Sequence, residues 1–270
     1  MSPAHHGGAV VGWLPVLVLL AAALVVYAGA ARRARRAPRG WSGLRTASFA
    51  AGVVLLAAAL SPAVVQGAHH DPRGHMLQHL VIGMYAPLAL VLAAPVTLAL
   101  RTMAPAWRRR AARLLRSRAL HVLGHPVTAL LLDIGGLYLV HLTPVYAAMQ
   151  ASPAVHALVN LHYFAAGYLF AWAVAGPDPA PRRPGTPTRL AVLFAAVAAH
   201  SLLAKLLYAY PGTWPPGADH AAAMGEAAKL MYYGGDLAEV LLAVALFAAW
   251  YRRRGRRFAA RRPVPAAGGP

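Results

Sequence analysis

The chain of 270 residues is 59% hydrophobic and 12% charged, with a formal charge of +19, whereas a soluble domain carries roughly 25% charged residues. That balance excludes a soluble enzyme. It also excludes a nucleic-acid domain, because the arginines fall in short blocks between long apolar stretches rather than on one soluble face. Cysteine is absent, which removes disulfides, zinc–thiolate sites and thiol nucleophiles.

A membrane helix needs about 20 predominantly apolar residues. Seven stretches qualify, near residues 10–31, 44–65, 76–100, 122–142, 155–175, 190–208 and 232–250. The first has an apolar run too long for a cleaved signal peptide and no positive region before it, so it reads as a span. Arginines cluster after the first span (Arg32 to Arg45), after the third (Arg101 to Arg118), after the fifth (Arg182, Arg183, Arg189) and after the seventh (Arg252 to Arg262). Of the 26 basic residues only Arg73, Lys205 and Lys229 fall elsewhere. This alternation predicts an all-α polytopic membrane protein of seven transmembrane helices, N-terminus outside and C-terminus cytoplasmic. Residues 1–257 read as one transmembrane domain and 258–270 as a disordered cytoplasmic tail. Residues 107–120 read as an amphipathic helix on the inner leaflet, its arginines toward anionic lipid.

Ionisable groups inside a membrane span are costly and mark function. With the ends of each span assigned, depth follows from the helical rise. His75 starts the third span and His79 lies roughly 6 Å below it; His156 starts the fifth, with His162 about 10 Å deep; His200 is on the order of 12 Å below the outer end of the sixth. His141 nears the outer end of the fourth. Of the 13 histidines only His121 and His125 fall on the inner side. His5, His6, His69, His70 and His220 read as solvated loop residues. In the seventh span Asp236 and Glu239 share a face; Lys205 is placed to neutralise Asp236, and Glu239 to orient His200. Asp133, near the midplane, receives no role.

His75 and His79 are i and i+4 on one helical face, with Met76 three residues before His79. Imidazole with thioether suits copper, Cu(I) above all. The predicted site therefore has His79, His162 and His200 at its centre and His75, Met76 and His156 along an entrance from the outer face. Hydrogen bonding between helices is the alternative use of each imidazole.

Three blocks resemble a known family. They are His75-Met76-Leu77-Gln78-His79-Leu80 with Ala86-Pro87-Leu88 and Ala94-Pro95-Val96-Thr97; His156 to Phe164 with Gly167-Tyr168-Leu169-Phe170 and Gly176-Pro177-Asp178-Pro179; and Gly225-Glu226 through Asp236-Leu237-Ala238-Glu239 to Trp250. In this order they resemble the multi-pass CtaG-type cytochrome c oxidase assembly factors, from about residue 66 to 257. A single-span, cysteine-bearing copper chaperone that shares the name is a different protein. The chain departs from many relatives before the last span, where it reads Asp219-His220-Ala221-Ala222-Ala223-Met224 in place of an acidic, glutamine-bearing run. His220 and Met224, i and i+4, are themselves candidate soft-metal donors there. The resemblance implies a plasma-membrane protein, not an enzyme, needed to assemble a caa-type haem–copper oxidase, with copper as the supposed cargo. An oxidase subunit or a copper donor protein on the outer face would be the partner. Two alternatives stand beside it: a b-type cytochrome with histidines as haem ligands, and a copper transporter.

Overall fold

The structure, a computed structural model, describes residues 4–180, 182–217 and 221–260. Among them every regular element is helical. In chain order they are α1 (Ala4–Arg35), α2 (Gly43–Ala59), α3 (Pro62–His70), α4 (Pro72–Leu80), a π-helical turn (Val81–Tyr85), α5 (Ala86–Leu92), α6 (Pro95–Thr102), α7 (Pro105–Leu115), α8 (Arg118–Leu123), α9 (Pro126–Leu142), α10 (Val145–Ala151), α11 (Pro153–Val174), α12 (Thr186–Ala209) and α13 (Ala221–Ala260). Proline starts α3, α4, α6, α7, α9 and α11, where its missing N–H costs nothing and its fixed φ suits the first turn.

Five helical stretches are long and apolar enough to cross a membrane: 13–35, 72–102, 153–174, 186–209 and 221–255. Two bent pairs raise the number to as many as seven. They are α2 with α3, at 55°, and α9 with α10, at 76°. The protein is thus an all-helical membrane protein of five to seven spans. Elements differ from expectation at their ends. The fourth span begins at Pro126, because Gly124 and His125 separate it from α8. Helix α13 runs to Ala260, ten residues past the expected 250 and into the expected tail; positions 261–270 lie outside the described residues.

The 72–102 span is the irregular one, and its prolines explain why. Pro87 cannot donate to the carbonyl of Gly83, and its ring would press on that carbonyl in an α-helix. The chain answers with the π turn, in which Ala86 N–H reaches Val81 O. A π turn of this kind often marks a functional site. At the far end Ala94 adopts φ 54°, ψ 54°, the left-handed region, and Pro95 restarts the helix as α6. The freed amides there meet Asp178: its carboxylate accepts Val96 N–H at 3.0 Å, Thr97 N–H at 2.7 Å and Thr97 Oγ1–H at 2.5 Å. Gly167 of α11 sits where a Cβ would collide with the Gly83 carbonyl, so α11 and the π turn touch backbone to backbone. Tyr85 Oη donates to Gly234 O at 2.7 Å and ties the same turn to α13.

Candidate functional site

The i, i+4 pair on α4 works as its spacing predicts. His75 and His79 are both buried and share the inward face. Around His75 stand His141 of α9, with ring centres 5.9 Å apart, His156 of α11 at 6.5 Å and Tyr146 of α10 at 5.4 Å. One turn deeper, His79 faces His200 of α12 at 6.5 Å and Tyr163 of α11 at 4.5 Å. Glu239 of α13 places Oε1 3.9 Å from His200 Nδ1, near but beyond a hydrogen bond. Gly235 leaves room for that imidazole, since a Cβ there would collide with the ring. His79, His200, Glu239 and Asp133 border a cavity of ≈ 40 Å³, together with Gly83 and Gly167. At about 10–15 Å³ for each water held, this is space for an ion and its remaining shell, far below the roughly 300 Å³ of a small-molecule pocket.

The hydrogen bonds divide these histidines into two kinds. His156 is fully engaged. Its Nε2 lies 2.9 Å from Gln78 Oε1, an acceptor only, so Nε2 carries the proton and donates. Its Nδ1 then accepts from His69 Nε2 at 2.8 Å. Gln78 is a buried hub: it also accepts from Asn160 Nδ2 at 3.4 Å and donates to Ala59 O at 2.8 Å. The others are unsatisfied. Both ring nitrogens of His75, His79 and His200, and Nε2 of His141, are buried with no hydrogen-bond partner; His141 Nδ1 donates to Leu137 O at 2.9 Å. Tyr163 Oη and Glu239 Oε2 are likewise buried and unpartnered.

Several sequence expectations find different positions. His162 does not join His79 and His200. Six residues beyond His156 it stands about 240° round the helix, while Tyr163, seven beyond, returns to within about 20°. Tyr163 takes the inward place, and His162 donates from Nε2 to Leu132 O at 3.1 Å, with its ring against Gly136 of α9. Met76 is buried in the apolar cluster that holds Ile82, Met149 and Met231. Met224 belongs to the same cluster, and its companion His220 lies outside the described residues. His69, expected in a solvated loop, ends α3 with its ring centre 4.1 Å from that of His156. Lys205 does not pair with Asp236: its ammonium lies over the Tyr232 ring at 5.5 Å, and Asp236 accepts from Ser201 Oγ at 3.4 Å. The antiparallel helices are offset by one turn from the depth estimate, so Ser201, four residues before Lys205, meets the acid. His141 was legible from its depth. Gln78, a polar side chain within the third span, was open to the argument applied to the histidines; Tyr146 and Tyr163 carry no signal in the sequence that separates them from core residues. Among the described residues no three of His, Asp and Glu converge closely enough to hold a metal ion together.

The profile of one protein family, described as cytochrome c oxidase caa3 assembly factor, matches residues 25–253. An uncharacterized protein of Mycobacterium bovis, Mb0105, is 36% identical over 146 residues, covering 52% of this chain and 22% of that protein. An uncharacterized protein of Mycobacterium leprae, ML1998, is 30% identical over 243 residues, covering 83% of this chain and 37% of that protein. The chain thus spans well under half the length of these relatives. No solved structure matches it. The match from the first membrane helix to the basic end of the last places the chain in the family of cytochrome c oxidase caa3 assembly factors.

Proposed function

We propose that the protein is a non-catalytic assembly factor of the plasma membrane that holds copper between buried histidines. It would pass the metal to an oxidase subunit, or take it from a donor protein, on the outer face. One observation carries the copper reading: the unpartnered ring nitrogens of His75, His79, His141 and His200. A buried polar group without a partner costs about 1–3 kcal/mol, and four neighbouring imidazoles in that condition call for a ligand. With metal–nitrogen bonds of about 2.0 Å, two imidazoles on one ion have ring centres at most about 6.3 Å apart, in a linear arrangement. His75–His141 at 5.9 Å fits inside that limit; His79–His200 at 6.5 Å exceeds it, so those two rings must approach slightly to share an ion. Linear two-coordination by neutral nitrogen donors suits Cu(I). The haem and transporter alternatives have no observation of comparable weight behind them.

The same reading takes seven spans with the N-terminus outside. Helices α2 and α9 have 17 residues each, about 25 Å, close to the roughly 30 Å apolar core, and α3 and α10 bend away beyond their ends. The histidine ends of the spans then face outward and the arginine ends inward.

Copper titration of the purified protein tests the site. His79→Ala and His200→Ala are each expected to weaken Cu(I) binding at least tenfold, whereas His121→Ala is expected to change nothing. Full binding by both variants, while they remain folded, removes copper from the His79–His200 pair, and full binding by His75→Ala and His141→Ala as well removes copper from the reading. Assembly is read separately, from the oxidase spectrum of cells that lack the protein and are supplied with each variant.

A further inference from the structure

A further cavity, open to solvent and walled by exposed arginines, lies at the opposite, arginine-rich end and has no part in the copper reading. It measures ≈ 610 Å³ and is lined by Arg116, Ser117, Arg118, His121 and Arg182. Two segments meet there, the α7–α8 junction and the α11–α12 connection. Arg182 is held in the left-handed region, φ 46°. No carboxylate borders the space. Asp178, four residues before Arg182, is occupied by the amides of Val96 and Thr97. Among the described residues none of the three guanidiniums belongs to an ion pair, and His121 Nδ1 is buried without a partner. Three like charges around one space repel each other, and an anion within it reverses the sign of that interaction. A guanidinium fork matches the oxygens of a phosphate in pairs. Next to this cavity α7 exposes Trp107 and Leu114 among Arg108, Arg109, Arg110 and Arg113, the composition of a helix lying in the headgroup layer.

We propose that this cavity binds a phosphate group through Arg116, Arg118 and Arg182, as carried by the headgroup of an anionic phospholipid. The volume is within the range of about 300–1,000 Å³ seen for small-ligand sites.

The full chain, placed in nanodiscs of phosphatidylcholine with a minor share of phosphatidylglycerol or cardiolipin and then released into detergent, reports retained lipid by native mass spectrometry. Wild type is expected to keep anionic lipid. Each of Arg116→Gln, Arg118→Gln and Arg182→Gln should weaken retention about fivefold, and the triple variant on the order of a hundredfold. The triple variant Arg108→Gln, Arg109→Gln, Arg110→Gln removes the same charge from the surface of α7 and should weaken retention by no more than about fivefold, far less than the cavity triple. Equal loss in the two triple variants reduces the effect to diffuse surface charge and overturns the proposal, as does wild-type retention that does not distinguish anionic from zwitterionic lipid. Replacing the three cavity arginines by lysine keeps the charge and the surface; a partial loss there reports the fork geometry. In a second arm inorganic phosphate is titrated into lipid-free protein. Binding that depends on the three arginines makes soluble phosphate a sufficient ligand; indifference to phosphate with lipid retention intact makes the source a lipid.

Discussion

The two ends of this bundle bury polar groups on opposite terms. At the arginine end the guanidiniums of Arg183 and Arg189 are held by oxygen acceptors, and the buried atoms left without a partner, among them Arg183 Nε, Arg189 Nε, His121 Nδ1 and Trp41 Nε1, are scattered. Arg183, in the α11–α12 connection, donates to the carbonyls of Gly176, Trp172 and Asp178, and Arg189 donates to Val174 O at 3.0 Å and Thr186 Oγ1 at 3.2 Å. The Trp172, Val174 and Gly176 carbonyls lie at the C-terminal end of α11, and cations suit that end of a helix. Burial, with Arg189 and Arg253 nearby, pushes the Arg183 guanidinium down to about 10, opposed by Asp178, so it stays charged at neutral pH. At the histidine end His69, His156 and Gln78 are answered in the same way, but both ring nitrogens of the neighbouring His75, His79 and His200, and His141 Nε2, are not. The unpartnered nitrogens are thus concentrated on four neighbouring imidazoles at one end and dispersed at the other.

The largest expected effect falls on the answered layer. Gln78→Leu removes a fully buried hub and strands the Ala59 carbonyl, His156 Nε2 and Asn160 together. At about 1–3 kcal/mol for a stranded group, with some re-pairing, unfolding in detergent should show a loss on the order of 3 kcal/mol. A loss below about 1 kcal/mol would mean that water already reaches this layer, and the contrast between answered and unanswered layers would fall.

How much of this could be read from the chain depends on which coordinate is asked for. Composition and arginine spacing carry the helical class, and the 1.5 Å rise carries depth, which groups His79, His162 and His200 and puts His75, His141 and His156 nearer the same end of the spans. Azimuth is the weaker coordinate. His156, Asn160 and Tyr163 share a face by periodicity, and His162 leaves it, yet no periodicity in a helix apolar all round says which face is inward. Register between helices is weaker still. One turn of offset between α12 and α13 gives Asp236 to Ser201 and leaves Lys205 on Tyr232. The π turn at Val81–Tyr85 is a local answer to Pro87, and a proline in a helix leaves open whether the helix kinks, breaks or widens.

A smaller effect, of opposite sign, sharpens the comparison. His200→Leu replaces two unanswered nitrogens with apolar atoms of similar bulk. Without metal the variant should be as stable as wild type or about 1 kcal/mol more stable, because replacing an unpaired polar group by a matching apolar one is favourable. Copper in hundredfold excess over its dissociation constant should add about 2.7 kcal/mol to wild type and less to the variant, which keeps only the His75–His141 pair. A variant destabilised without metal would show that His200 is answered after all, by Glu239 3.9 Å away, and would move it into the structural class.

The smallest effect belongs to His162, and it decides between depth and azimuth as guides to the site. Depth alone groups it with His79 and His200; the structure turns it to α9, where it makes one bond to Leu132 O at 3.1 Å. A single side-chain bond between membrane helices is worth on average about 0.6 kcal/mol, so His162→Ala should lower stability by about that much. Its copper affinity should stay within about twofold of wild type, against the tenfold or greater loss expected for His79→Ala. A tenfold loss in His162→Ala would require α11 to rotate by a third of a turn so that His162 replaces Tyr163 beside His79. That rotation would carry His156 and Asn160 away from Gln78 and Gly167 away from the Gly83 carbonyl. It would therefore show in Gln78→Leu as well, which would then cost almost nothing. The two variants together separate a fixed α11 from a turning one.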